Sequence, residues 1–140
     1  VVTPTDATTT GVNATASLGT VTATGTGTGV NATFTVTVVS TGYGNKYYID
    51  GVQQATVNLS EGSTYRFDQS DSSNAGHPLR FSTTSNGTHG GGSEYTTGVT
   101  TNGTPGSSGA YTQITVASGA PTLYYYCTNH SGMGGQANTP

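Results

Sequence analysis

The chain has no tryptophan, one cysteine, one methionine and only three basic residues, Lys46, Arg66 and Arg80, in 140. Each shortage excludes something. A single cysteine cannot pair within its own chain, so a disulfide-stapled scaffold is out. Three basic residues against six acids leave a net charge of −3 and no basic face to neutralise phosphates, so nucleic acid is not an expected partner. No apolar stretch approaches the roughly 20 residues that a membrane-spanning helix requires, and a soluble chain is expected. Runs of Leu, Ala, Glu or Lys with a sustained helical period are missing, so helices should be minor. There is neither an initiator Met nor a signal peptide, and the sequence reads as a mature product or a piece of something longer.

Hydrophobic residues make up 31% of the chain and charged residues 6%, against averages of about 45–50% (counting Gly) and about 25%. Both the core and the ionic surface are therefore thin. Low charge together with nine Tyr and abundant Val and Thr favours strands over disordered coil. An all-β protein is expected, with Thr and Ser on its wet faces and 22 Gly in its turns. Sparse Lys, a surface of Thr, Ser, Asn and Gly, and one unpaired Cys point to an extracellular or particle-surface setting. Asn-x-Ser/Thr triplets at Asn13, Asn31, Asn58, Asn86, Asn102 and Asn129 arise by chance in so Thr-rich a chain and are discounted as glycosylation sites.

Residues 1–40 lack Tyr, His and Cys and carry no charge apart from Asp6. They are read as a Thr/Gly-rich β arm, separate from a domain over 41–140. Gly11-Val12-Asn13-Ala14-Thr15 recurs as Gly29-Val30-Asn31-Ala32-Thr33, an offset of 18 residues. Each copy leads into an alternating stretch, Leu18 to Thr24 and Phe34 to Val38, the latter with Phe34, Val36 and Val38 on one face. A two-stranded unit is marginal alone in water, so the arm is expected to dock on the domain or on neighbouring copies.

From Tyr43 the pattern becomes Tyr47-Tyr48-Ile49, Asp50-Gly51, Val52, a hairpin signal because a type I′ turn needs positive φ at both central residues. Gln53 to Leu59 reads as the continuing strand, Ser60 to Ser63 as a turn, and Thr64 to Phe67 as the next strand of a meander, with Tyr65 and Phe67 on one face. Asp68 to Gly76 is loop-like. His77-Pro78 closes it before the β-prone Leu79 to Ser82, with Pro at an edge or first position. Residues 83–110 form a long polar excursion with a short strand near Tyr95 to Val99. Ala110 to Val116 alternates, with Ala110, Thr112, Ile114 and Val116 on one face. In Leu123 to Cys127 the inward residues are Leu123, Tyr125 and Cys127, which delivers the cysteine to a strand end.

The segment that carries chemistry is Cys127-Thr128-Asn129-His130-Ser131-Gly132-Met133. A thiolate and a thioether are soft donors that select copper, and His₂Cys with a weak axial Met is the blue-copper electron-transfer arrangement. His77 is taken as the second imidazole. His89 is the rival, but Gly90-Gly91-Gly92 follow it and such a segment positions a ligand poorly. Glu61-Gly62-Ser63-Thr64-Tyr65-Arg66-Phe67, Gly76-His77-Pro78-Leu79-Arg80-Phe81 and Tyr124-Tyr125-Tyr126-Cys127 with His130 together resemble the cupredoxin family, over roughly residues 43–137. The resemblance implies a Greek-key antiparallel β-sandwich with one copper at its end, held by His77, Cys127, His130 and Met133. In one respect the chain departs from the plastocyanin-like pattern: Met133 follows His130 after two residues rather than four, with Gly135 at the usual place.

These residues bear on three functions. The Gly-Val-Asn-Ala-Thr repeat and the Tyr-Tyr-Tyr-Cys-Thr-Asn-His-Ser-Gly-Met-Gly-Gly ending resemble virion-surface proteins of marine bacteriophages, fibres and capsid decorations. That resemblance implies a structural module present in many copies with a sticky or stabilising role, and it is the favoured reading: non-enzymatic, assembling with itself or other particle proteins through the arm, with copper as a staple or optional redox site. The alternative is a soluble blue-copper electron carrier. A copper enzyme fails on counting, because only three His exist and two are already assigned.

Overall fold

The computed structural model describes residues 15–17, 20–22 and 29–140. Apart from Thr15, the first copy of the repeat lies outside them, as do Leu18, Gly19, Ala23 and Thr24 of the first alternating stretch. The strands are β1 (Thr15–Ser17), β2 (Thr20–Thr22), β3 (Ala32–Thr41), β4 (Gly44–Ile49), β5 (Val52–Gln53), β6 (Thr56–Asn58), β7 (Thr64–Asp68), β8 (Leu79–Ser82), β9 (Glu94–Tyr95), β10 (Val99–Asn102), β11 (Tyr111–Thr115), β12 (Leu123–Cys127) and β13 (Gly135–Asn138). Helix is confined, among the described residues, to single 3₁₀ turns at Ser72–Asn74 and Gly87–Gly90.

The strands form two sheets, ordered β1-β2-β6-β13-β12-β8-β9 and β10-β11-β7-β3-β4-β5. The expected all-β sandwich is what the chain adopts, but the sheets are mixed rather than wholly antiparallel: β3 runs parallel to β7, and β6 parallel to both β13 and β2. The parallel pairs follow from the chain crossing between sheets, since a parallel neighbour can be reached only by a crossover. Thus β3 is followed by β4 and β5 in its own sheet and β6 in the other before β7 returns beside it. For the same reason β6 and β7 do not form the expected meander.

Alternation in sequence becomes inward and outward faces in the sandwich. Phe34 and Val36 of β3, Tyr65 and Phe67 of β7, and Ile114 of β11 point inward to meet Leu79 and Phe81 of β8 and Leu123, Tyr125 and Cys127 of β12. Phe67 sits at the centre, its ring 4.9 Å from Phe34, 5.3 Å from Phe81 and 6.4 Å from Tyr125. A Phe→Ala change at such a position costs about 3–5 kcal/mol, a large share in a protein with so few apolar residues. Asp50 and Gly51 make the expected turn between β4 and β5, with φ of 48° and 82°.

Two readings of the sequence need correcting in detail. The run Gln53 to Leu59 is not one strand: Gln54 has φ 47°, and the chain leaves one sheet after β5 and joins the other at β6. The second alternating stretch of the Thr-rich arm is strand β3, which lies between β7 and β4 inside the sandwich. The composition break near residue 40 is therefore not a break in packing. Thr alternating with Phe and Val satisfies a half-buried strand as well as it satisfies an arm.

Candidate metal centre

Register brings the site together. Cys127, at the end of β12, pairs with Leu79 at the start of the antiparallel β8, so His77, two residues before Leu79, arrives at the same pole of the sandwich. His130 follows Cys127 by one short turn. The Cys127 sulfur lies 3.7 Å from Nδ1 of His77 and 3.7 Å from Nδ1 of His130. The two imidazole rings stand 4.7 Å apart, and the ligand atoms of all three residues lie within 4.8 Å of one another. Cys127 is fully buried, His77 half-buried and His130 exposed.

The separations suit a shared ion. With metal–sulfur and metal–nitrogen bonds of about 2.3 and about 2.0 Å, donors at a trigonal angle are roughly 3.7 Å apart and at a tetrahedral angle roughly 3.5 Å. One soft thiolate and two imidazoles in a trigonal set are donors for copper. The group fits a mononuclear copper site. Met133 is on the same loop and buried at 1% exposure, in the same apolar cluster as Cys127. The donor cluster itself is His77, Cys127 and His130.

His89 is not part of that cluster. Its Nε2 lies 2.8 Å from the Cys127 carbonyl oxygen; a carbonyl only accepts, so Nε2 carries the proton. The rival ligand is thus a support for the cysteine peptide. Gly87, at φ 54°, lets the turn that carries His89 close over the Tyr126 ring, which a Cβ there would overlap. The same contact explains why Tyr126 is buried although strand alternation points it outward.

Several residues that position the site carry no signal in the sequence. Gln69 and Asn74 are both buried. Gln69 Nε2 donates to the His77 carbonyl at 2.8 Å and to Asn74 Oδ1 at 3.0 Å, while its Oε1 accepts from the Leu79 amide at 2.9 Å. Asn74 Nδ2 donates to the Val36 carbonyl at 2.8 Å. The Tyr47 hydroxyl also donates to the His77 carbonyl, at 2.6 Å, and burial, with Cys127 close by, pushes its phenol far above the ordinary range. Asn129 Nδ2 reaches the Gly76 carbonyl at 2.9 Å, and the Thr128 amide donates to the Pro78 carbonyl at 3.1 Å, which fastens the two ligand loops together. Burial, and then the neighbouring His130, lower the His77 pKa below its ordinary value, so the neutral, metal-ready imidazole is favoured.

No protein-family model and no curated protein matches the chain. Solved structures do. A variant rusticyanin superposes with a TM-score of 0.57 at 17% identity, covering 94% of this chain and 88% of that one. Rusticyanin from Thiobacillus ferrooxidans gives 0.56 at 16%, covering 94% and 88%. Reduced rusticyanin gives 0.56 at 16%, covering 94% and 91%. The fold is cupredoxin-like. At such low identity the likeness concerns the fold, and in this cupredoxin-like frame the donors for copper are the chain's own His77, Cys127 and His130.

Proposed function

We propose that the chain is a non-enzymatic electron carrier built around one copper ion that His77, Cys127 and His130 would hold, with the thioether of Met133, buried in the same cluster as Cys127, as a further weak donor. The observation that carries this reading is the placement of one buried thiol 3.7 Å from two imidazole nitrogens in a framework already held by other hydrogen bonds. Bound copper supplies a one-electron couple. The protein's part is to keep the donors still: Gln69 and Tyr47 fix the His77 backbone, His89 fixes the Cys127 carbonyl, and Asn129 ties the two loops together. A site whose supports are engaged before metal arrives needs little rearrangement when the charge changes. His130, exposed at the pole, is the group through which electrons would enter and leave, to and from a one-electron donor or acceptor protein.

The resemblance of the repeat and of the ending to phage proteins favours a virion-surface module from sequence, and a carrier, which needs the single domain alone, leaves the repetitive arm unexplained. With β3 committed to the sandwich, half of that objection disappears, and the carrier is the stronger reading. An extracellular setting suits either.

The test is to add Cu(II) to the purified chain and follow the visible thiolate-to-copper absorption, its reversible loss on reduction, and the melting temperature. An ion bound only by the folded state adds about 4 kcal/mol at a thousandfold excess over its Kd. Cys127→Ser should abolish the band and most of that gain. A colourless wild type, or equal melting of wild type and Cys127→Ser in copper, would overturn the proposal.

A further inference from the structure

The link between His130 and Met133 is short, and it is held from outside by a single hairpin. Three consecutive carbonyls, those of Gly132, Met133 and Gly134, accept hydrogen bonds from the segment of β4, β5 and the residue after them. Lys46 Nζ donates to the Gly132 oxygen at 2.8 Å, the Tyr47 amide to the Met133 oxygen at 2.9 Å, and Gln54 Nε2 to the oxygens of Gly132 and Gly134 at 3.1 and 2.9 Å. From the other side the Gly132 amide donates to Asn86 Oδ1 at 2.9 Å, and Asn86 Nδ2 to the Ser131 hydroxyl at 2.8 Å. Gln54, at φ 47°, is the point where the chain turns from one sheet to the other, and that turn aims its amide at the loop.

Lys46 is one of three basic residues in the chain. The ion pair found among the described residues joins Arg80 to Glu94. The Lys46 ammonium, half-buried, instead spends its charge on the carbonyl of a loop residue lying between His130 and Met133. A cation there acts on a neighbouring redox centre through a medium less polar than water, and favours the state with the extra electron.

We propose that Lys46 and Gln54 are positioning residues of the metal-binding loop: they hold the Gly132–Gly134 carbonyls so that Met133 keeps its buried place in the cluster with Cys127, and the Lys46 charge raises the reduction potential of the bound metal. The second half rests on the copper reading given above; the first half does not require metal.

The experiment has a metal-free and a metal-loaded arm, both on the full chain. In metal-free protein, amide exchange by NMR is compared for wild type, Gln54→Leu and Lys46→Met. The Tyr47 and Gly132 amides should exchange about tenfold faster or more in both variants, as local opening becomes easier, while the Ile114 amide in β11 keeps its rate. Unchanged rates at Tyr47 and Gly132 would overturn the clamp. In copper-loaded protein, Lys46→Met and Lys46→Gln should both lower the midpoint potential, on the order of 59 mV for each tenfold loss in cuprous relative to cupric affinity, and Lys46→Arg should restore it. A Lys46→Gln potential equal to wild type would overturn the electrostatic half. A wild type that binds no copper would overturn the carrier and the charge effect together, while the exchange result would still decide the clamp.

Discussion

Replacing Gln69 by leucine isolates the buried network behind His77. The side chains have similar bulk, so the cavity term is small and the effect comes from hydrogen bonding. In the wild type, the Gln69 amide serves the His77 carbonyl, Asn74 Oδ1 and the Leu79 amide. After substitution the His77 carbonyl keeps the Tyr47 hydroxyl. The Leu79 amide and Asn74 Oδ1, both on fully buried residues, lose their partner. Each buried polar group left unsatisfied costs about 1–3 kcal/mol, giving a loss of roughly 2–6 kcal/mol. At about 3 °C per kcal/mol for a chain near this length, that is a fall of roughly 6–18 °C in melting temperature. Urea unfolding is the assay: the midpoint should fall at unchanged slope, and copper affinity should fall with it because His77 loses a support. Gln113→Leu, on the half-buried outer face of β11, is the comparison: it removes one hydrogen bond, from Arg66 Nε at 3.0 Å, and should cost no more than about 1.5 kcal/mol. A Gln69→Leu loss below about 1 kcal/mol would show that the network does not hold the loop.

Other consequences are equally direct. His89→Phe should keep the visible copper band and a single bound copper while destabilising the protein by about 1 kcal/mol; loss of the band, followed spectroscopically, would mean that His89 is a ligand after all. Gly134→Ala should cost about 3 kcal/mol by urea unfolding, because its Cβ would overlap the Tyr125 carbonyl oxygen, whereas Gly42→Ala, with open space around it and no positive φ, should be much milder. Metal-free stability should fall on acidification through about pH 6.5, the ordinary histidine value: the folded His77 pKa is lowered, so the unfolded chain binds the extra proton first and stability grows with pH across that range. Urea midpoints at about pH 7.5 and about pH 5 for wild type and His77→Asn would check this, since the variant should lose part of the slope.

How much was legible in the sequence can be judged residue by residue. Phe34, Val36, Tyr65, Phe67, Ile114, Leu123 and Tyr125 face inward as strand periodicity requires, and Asp50-Gly51 turns where its φ preferences say it should. His77, Cys127 and His130 were nameable because sulfur and imidazole at a strand end form a short vocabulary of metal donors. Their convergence, however, depends on Cys127 pairing with Leu79 across 48 residues of chain, which local pattern does not encode.

The sequence by itself determined the class of fold and pointed to His77, Cys127 and His130 as candidate donors, since backbone periodicity and donor chemistry are properties of short stretches. Only the tertiary structure decided that β3 belongs to the core, that His89 braces Cys127 instead of competing with His77, and that Gln69, Asn74, Lys46 and Gln54 hold the two ligand loops. Those roles belong to polar side chains whose meaning is set by what folding brings opposite them. An amide or an ammonium becomes a support once a particular carbonyl arrives within about 3 Å of it, and that arrival is the product of the whole sandwich.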